Sequence, residues 1–283
     1  MSSAISTEQV MSLRTQTGAG IMDCKAALKE AEGDMSKAVE ILRKKGIAGL
    51  AKRAGRAMKE GIVEVKNEGS KYAMVEINCE TDFVAKNPDV RKFAQELVSL
   101  MLSDSSYANP AENEKAKESL QSLAMKTGEN MIIRRGIVLS LPAEGEMGVY
   151  VHTDSKKAAL VEMSFSGDSS KKEQVAQLAR DLAMQCVAMG PKWLNKEDVP
   201  AEVIEKEKEI YKSTPQAQGK NEMALSKMLE GRIKKFYEES CLNEQAFIRD
   251  QKVKISDLIA AKGKELGGAL SIKRFVSYMV GLE

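Results

Sequence analysis

NCETDFVAKNPDV, running from Asn78 to Val90, holds the transition on which the reading of this chain turns. The residues before it, Ala73 to Cys79, read as a strand. Asn87-Pro88 is a helix start, with Asn as N-cap and Pro at the first helical position, where its missing N–H goes unused. Val90, Phe93, Ala94, Leu97, Val98 and Met101 then recur at helical spacing. Between the two elements lies Thr81-Asp82-Phe83-Val84, read here as a loop. Loops are mostly polar, and a Phe at a loop tip either folds back onto the core or meets a partner. Asp82 as a mere cap and Phe83 as a lid on the hairpin would leave unexplained why charge and bulk share one tip.

Upstream, GIVEVKNEGSKYAMVEINC reads as a hairpin, with Ile62, Val63 and Val65 on one strand and NEGS as the turn. The layout returns about 86 residues on, where LVEM at 160–163 answers MVEI at 74–77. GVYVHTDSKKAALVEMSF from Gly148 is again a hairpin. Val175, Leu178, Ala179, Leu182, Ala183 and Cys186 repeat the spacing of the first helix. The pattern predicts an internal duplication of a hairpin-plus-helix unit, too short for a solenoid. A helix near 112–126 and an apolar strand, Met131 to Leu141, lie between the copies. Hairpin strands backed by helices make this an α+β fold with antiparallel sheets.

Residues 6 to 47 predict three short helices. Ser6 and Gln9 fit a capping box for a helix ending near Gln16. After the glycine-rich turn TGAGIMD, Asp23 is the expected N-cap of a helix that Gly33 ends, and Asp34 caps a third that stops at Gly46. From Arg43 to Lys59 there are seven Lys or Arg and no acid. That run is read as a basic helix end and linker; it lacks the interleaved aromatics of a single-strand binder. AEVIEKEKEIYK and NEMALSKMLEGRIKKFYEES predict an antiparallel helical hairpin over 200–240. A short helix near 256–262 and a strand in LSIKRFVSYMV close the chain.

With 283 residues, 43% hydrophobic and 30% charged, the chain has the composition of a soluble globular protein of two or three domains. No apolar run approaches the roughly 18 residues of a membrane span, and the N-terminus lacks a signal-peptide pattern. The four cysteines, Cys24, Cys79, Cys186 and Cys241, are widely spaced and read as reduced thiols in a cytosol. With one histidine, His152, neither a structural zinc site nor a His-dependent triad is favoured. P-loop, GxGxxG, GxSxG and HExxH patterns are all absent. Ile21 and Met22 follow glycines with no strand to bury them, which suits either packing or partner contact.

TGAGIMDCKAAL, NCETDFVAKN, GENMIIRR, GVYVH and the EKEKE…MLEGRIKKF hairpin occur in the order in which they resemble the signatures of the elongation factor Ts family. The resemblance covers nearly the whole chain. It implies an N-terminal three-helix domain similar to ubiquitin-associated (UBA) domains over 1–55, a first core subdomain over 56–142, and a second over 143–283 that contains the hairpin 200–240. It implies a guanine nucleotide exchange factor of translation, cytoplasmic, without covalent chemistry, cofactor or metal. Its partner would be elongation factor Tu, GDP-bound or nucleotide-free, with no DNA or membrane partner; a homodimer within a larger complex stays open. Asp82 and Phe83 would enter the partner's nucleotide-binding domain near its magnesium site, with Thr81 and Val84 beside them at the partner contact. Arg14, Ile21 and Met22 stand where the family's N-terminal domain contacts the same partner domain, and His152 where the core touches its phosphate-binding region. Two other classes stay in view: an RNA-associated adaptor using the 43–59 run, and an enzyme built around Cys79, Asp82 and His152.

Overall fold

The computed structural model describes residues 5–53, 55–219 and 221–281. The side chains of 47 and 50–53 lie outside the described residues, so Lys52 and Arg53 of the basic run are not characterised. The backbone divides into two compact units. One comprises the described residues up to Ser140, together with Asp154–Lys156 and the chain from Met279; the other comprises Leu141–Thr153 and Lys157–Tyr278.

The first unit begins with three helices. In α1 (Thr7–Thr17) the capping box is present: Gln9 N donates to Ser6 Oγ at 3.1 Å and Ser6 N to Gln9 Oε1 at 3.0 Å. The second, α2 (Ile21–Glu30), starts earlier than expected, with Gly20 as N-cap. Asp23 therefore sits inside the first turn, where its charge complements the helix dipole instead of capping an N–H. Asp34 does cap α3 (Met35–Arg53), accepting from Lys37 N at 3.0 Å. Leu13, Cys24, Ala27, Leu28 and Ala38 are fully buried between these helices.

Next come β1 (Glu60–Glu68) and β2 (Lys71–Cys79), an antiparallel hairpin in register from Glu60↔Cys79 to Glu68↔Lys71. A one-turn helix, α4 (Asp82–Ala85), α5 (Pro88–Ser103), α6 (Glu114–Thr127) and β3 (Met131–Ser140) follow. The sheet order is β1-β2-β3. Ala73, Val75 and Ile77 of β2 bury against the Val90, Ala94, Leu97, Val98 and Met101 stripe of α5. Helix α3 overruns its expected stop at Gly46. A Cβ there would lie 2.3 Å from Met125 Sδ of α6, so this glycine serves close helix approach, not termination. Val63 N donates to Ser155 O at 2.7 Å, which fastens the short 154–156 segment to β1.

In the second unit β4 (Gly145–Val151) and β5 (Lys157–Ser166) pair antiparallel, and α7 (Lys172–Met189) covers them. Helices α8 (Ala201–Lys212) and α9 (Glu222–Ser240) form the hairpin, with Arg232 over the Tyr211 ring at 5.6 Å. A small ribbon of β6 (Ala246–Phe247) and β7 (Asp250–Lys254), which the sequence reading left out, leads into α10 (Ile255–Leu266) and β8 (Ala269–Met279). The sheet order is β4-β5-β8. Each three-stranded sheet buries a glutamate on its middle strand and pairs it with an arginine on the third. Glu76 accepts from Arg135 Nε at 2.7 Å, and Glu162 from Arg274 Nε at 2.6 Å. Antiparallel sheets, backing helices and an N-terminal helical region make the fold α+β, as expected.

Candidate functional site: an exposed aromatic on a braced turn

Thr81-Asp82-Phe83-Val84 is not a loop. Thr81 is the N-cap of α4, with extended φ,ψ of −125°, 157°, and its Oγ1 accepts from Val84 N at 3.4 Å. Ala85 N donates to Thr81 O at 3.2 Å and Lys86 N to Asp82 O at 3.0 Å, closing the turn. Val84 and Ala85 are buried in the core beneath α5. Phe83 points the other way and is 82% exposed, the highest value among the exposed large apolar side chains of the described residues. The chain thus anchors a helical turn by two apolar residues and leaves a benzyl group in water. Nothing in folding rewards that arrangement.

The base of the turn is fixed from several directions. Thr81 Oγ1 donates to Glu129 Oε1 at 2.6 Å and Thr81 N to Glu129 Oε2 at 3.0 Å. Asn130 N donates to Glu80 Oε1 at 2.8 Å, and Arg56 Nη1 to Glu80 Oε2 at 3.0 Å. The Cys79 thiol donates to Thr81 O at 3.1 Å. Burial pushes that thiol up to about 12, with Glu129 and Glu60 adding to the effect. At neutral pH it is neither a thiolate nor a nucleophile, so the enzyme reading loses its nucleophile.

Asp82 pairs with Lys86 one turn on, Nζ to Oδ2 at 2.7 Å. The Lys86 hydrogen bond holds the Asp82 carboxyl below its ordinary range, with the charges of Lys86 and Lys156 assisting. The folded value is the lowered one. The pair is therefore complete above the ordinary aspartate range and is lost only as pH falls through that lowered value. Lys86→Met is expected to return the Asp82 midpoint upward in a carboxyl-carbon NMR titration; an unmoved midpoint would mean Lys86 is not its cause.

The other predicted contact residues lie elsewhere. Arg14 is exposed in the last turn of α1. Ile21 and Met22, the first two residues of α2, are 46% and 74% exposed, and Met11 of α1 is 49% exposed. His152 follows β4 in the second unit; its N donates to Lys157 O at 2.8 Å and its ring stands edge-on to Tyr150 at 6.5 Å. One turn thus holds Thr81 to Val84 together, while Arg14, Ile21, Met22 and His152 sit on other elements. In the basic run, Lys45 pairs with Glu30 at 2.6 Å and Arg56 with Glu80, so two of its described cations are already engaged. The sequence reading missed the roles of Glu80, Lys86 and Glu129. The Asp-to-Lys spacing of four was a usable signal for the second. No local signal marks the other two.

A family model described as Elongation factor TS matches residues 80–282, beginning at the base of this turn. Among curated proteins, the Elongation factor Ts of Syntrophotalea carbinolica is 40% identical over 291 residues, covering 98% of this chain and 93% of its own. That of Clostridium botulinum is 42% identical over 286 residues, with 98% and 93% covered, and that of Prosthecochloris aestuarii 38% over 291, with 99% of each covered. The chain belongs to the elongation factor Ts family. It is accordingly a translation elongation factor. The curated family members align with the three N-terminal helices as well as with the part matched by the family model. Among the described residues, no helix of this family member is long and apolar enough to cross a membrane, and no group of three or more His, Cys, Asp or Glu could hold a metal.

Proposed function

We propose that the chain is a cytoplasmic guanine nucleotide exchange factor that binds elongation factor Tu, GDP-bound or nucleotide-free, and speeds GDP release without making or breaking a covalent bond. The observation that carries this reading is Phe83: 82% exposed, yet mounted on a turn whose next two residues are buried. A side chain presented in that way suits insertion into a partner. Asp82 beside it, a carboxylate tethered to Lys86, either orients the wedge or disturbs the water shell of the partner's magnesium ion. In the partner, Mg²⁺ bridges phosphate and protein oxygens and offsets their charge. A wedge that shifts this surrounding weakens nucleotide binding. Linkage then requires nucleotide to weaken the factor's binding by the same factor, so excess GTP expels it and completes the cycle.

Within this proposal Thr81, Asp82, Phe83 and Val84 form the wedge and its mount. Arg14, Ile21 and Met22 are a second contact, supported by the exposure of Ile21 and Met22, and His152 a third. The three N-terminal helices form a UBA-like domain over 1–55. The subdomains 56–142 and 143–283 are two copies of one unit. Matching strand orders and the paired Glu76–Arg135 and Glu162–Arg274 bonds favour that duplication.

The deciding experiment is stopped-flow release of a fluorescent GDP from a cognate elongation factor Tu. Acceleration that rises with added factor to a plateau supports the proposal. Unchanged release in the presence of folded factor would sink it, and salt-dependent RNA binding would then put the adaptor role first.

A further inference from the structure

We infer that Glu129 is the positioning residue for the Phe83 wedge, an inference that rests on the exchange reading above. A four-residue turn cannot hold itself, because one turn of helix fixes several dihedrals for a single hydrogen bond. Its free N–H groups and its angle of entry must be set from outside. Here the setting comes from 48 residues downstream. The two oxygens of Glu129 take the two donors of Thr81, the hydroxyl at 2.6 Å and the backbone N–H at 3.0 Å. Both bonds are charge-assisted, and together they fix Thr81 in rotamer as well as in position. With its proton committed to Glu129, the hydroxyl offers a lone pair to Val84 N, the cap bond of the turn.

Glu80 makes the reverse contact, accepting from Asn130 N at 2.8 Å. Residues 80–81 and 129–130 therefore exchange carboxylate–backbone bonds as a reciprocal latch. Gly128 permits it. At φ 75° it ends α6 in the left-handed region, where a side chain would be strained, and sends the chain back toward Thr81. Glu129 acts on Phe83 only through Thr81. Its work is orientation, which matters where a displacement of about 1 Å can cost orders of magnitude in rate.

Glu129→Ala removes both acceptors. The expected result is a roughly tenfold lower plateau rate of GDP release at saturating factor, with the half-saturating concentration moving less than about threefold. A residue that only kept the fold would shift both. Glu129→Gln keeps an acceptor for the Thr81 N–H and should recover most of the plateau. Should Glu129→Ala not fold, Glu129→Gln beside Thr81→Val keeps the test open. Thr81→Val removes both the Glu129 bond and the cap bond to Val84 N and should lose the plateau, and the milder loss expected of Glu129→Gln isolates the Glu129 contribution. On a Phe83→Ala background, Glu129→Ala should add no further loss. Full plateau rates from folded Glu129→Ala and Thr81→Val beside a slow Phe83→Ala would overturn the inference and leave the wedge standing. A full rate from Phe83→Ala would bring down the wedge, and the positioning role with it.

Discussion

Phe83→Ala is expected to slow factor-stimulated GDP release by about 10- to 100-fold while leaving the factor's own unfolding midpoint unmoved. The first half follows from transfer. Fully burying a Phe side chain is worth roughly 1.5–3 kcal/mol, and each 1.4 kcal/mol or so is tenfold. If the ring is buried only when the partner's magnesium site is disturbed, that energy lowers the barrier to release and is lost with the ring. The second half follows from exposure: at 82% exposed, the ring contributes almost nothing to the folded state, and surface substitutions of this kind stay within about 0.5 kcal/mol. The two readouts are thus expected to separate. A variant that loses stability and exchange together would show Phe83 to be a structural residue, and an unchanged release rate would remove it from the mechanism.

Gly148→Ala tests the second unit and should be severe. Gly148 lies on β4 against α7, and a Cβ there would stand 2.0 Å from both the carbonyl carbon and the oxygen of Ala179. These are backbone atoms in the middle of a helix, so no rotamer change relieves the clash. Strand and helix must separate, and the packing of Ala179, Leu182 and Ala183, all fully buried, opens with them. Overpacking of this kind costs about 3 kcal/mol, which for a body of this size lowers the thermal midpoint by ~6–12 °C. Gly231, in α9 with nothing within 4 Å of its would-be Cβ, is the control whose Ala substitution should not lower the midpoint. A Gly148→Ala midpoint within a degree of wild type would mean that β4 and α7 pack less closely than described.

Much of this architecture was legible from residues acting over one or two turns. Ser6 with Gln9, Asp34, and Asn87 with Pro88 each declared a helix start, because a cap is a contact between near neighbours. The α5 and α7 stripes declared their buried faces through periodicity. Misreadings came where tertiary contact overrode local preference. Gly46 has the composition of a stop, but its missing side chain lets α3 pass Met125. Asp23 has the composition of a cap, but Gly20 already holds the extended geometry. The Asp82-Phe83 turn reads as a loop in sequence because four residues are too few to show a 3.6-residue period. At the candidate site, Phe83 stood out through incongruity alone. Glu129 could not, because its partner lies far away in sequence and its own neighbourhood, Gly-Glu-Asn, resembles any helix exit.

Cys79 offers a clock on this machinery. Its thiol is buried, protonated at neutral pH and bonded to Thr81 O, the carbonyl that also receives Ala85 N. An electrophile reaches that buried sulfur only when the structure around it opens, and the base of the turn is part of its cover, so the alkylation rate of Cys79 responds to local opening at the wedge mount. Because the sulfur lies beneath the turn, the factor also carries a timer that needs no added label near Phe83. Binding a partner that seats the turn should slow it.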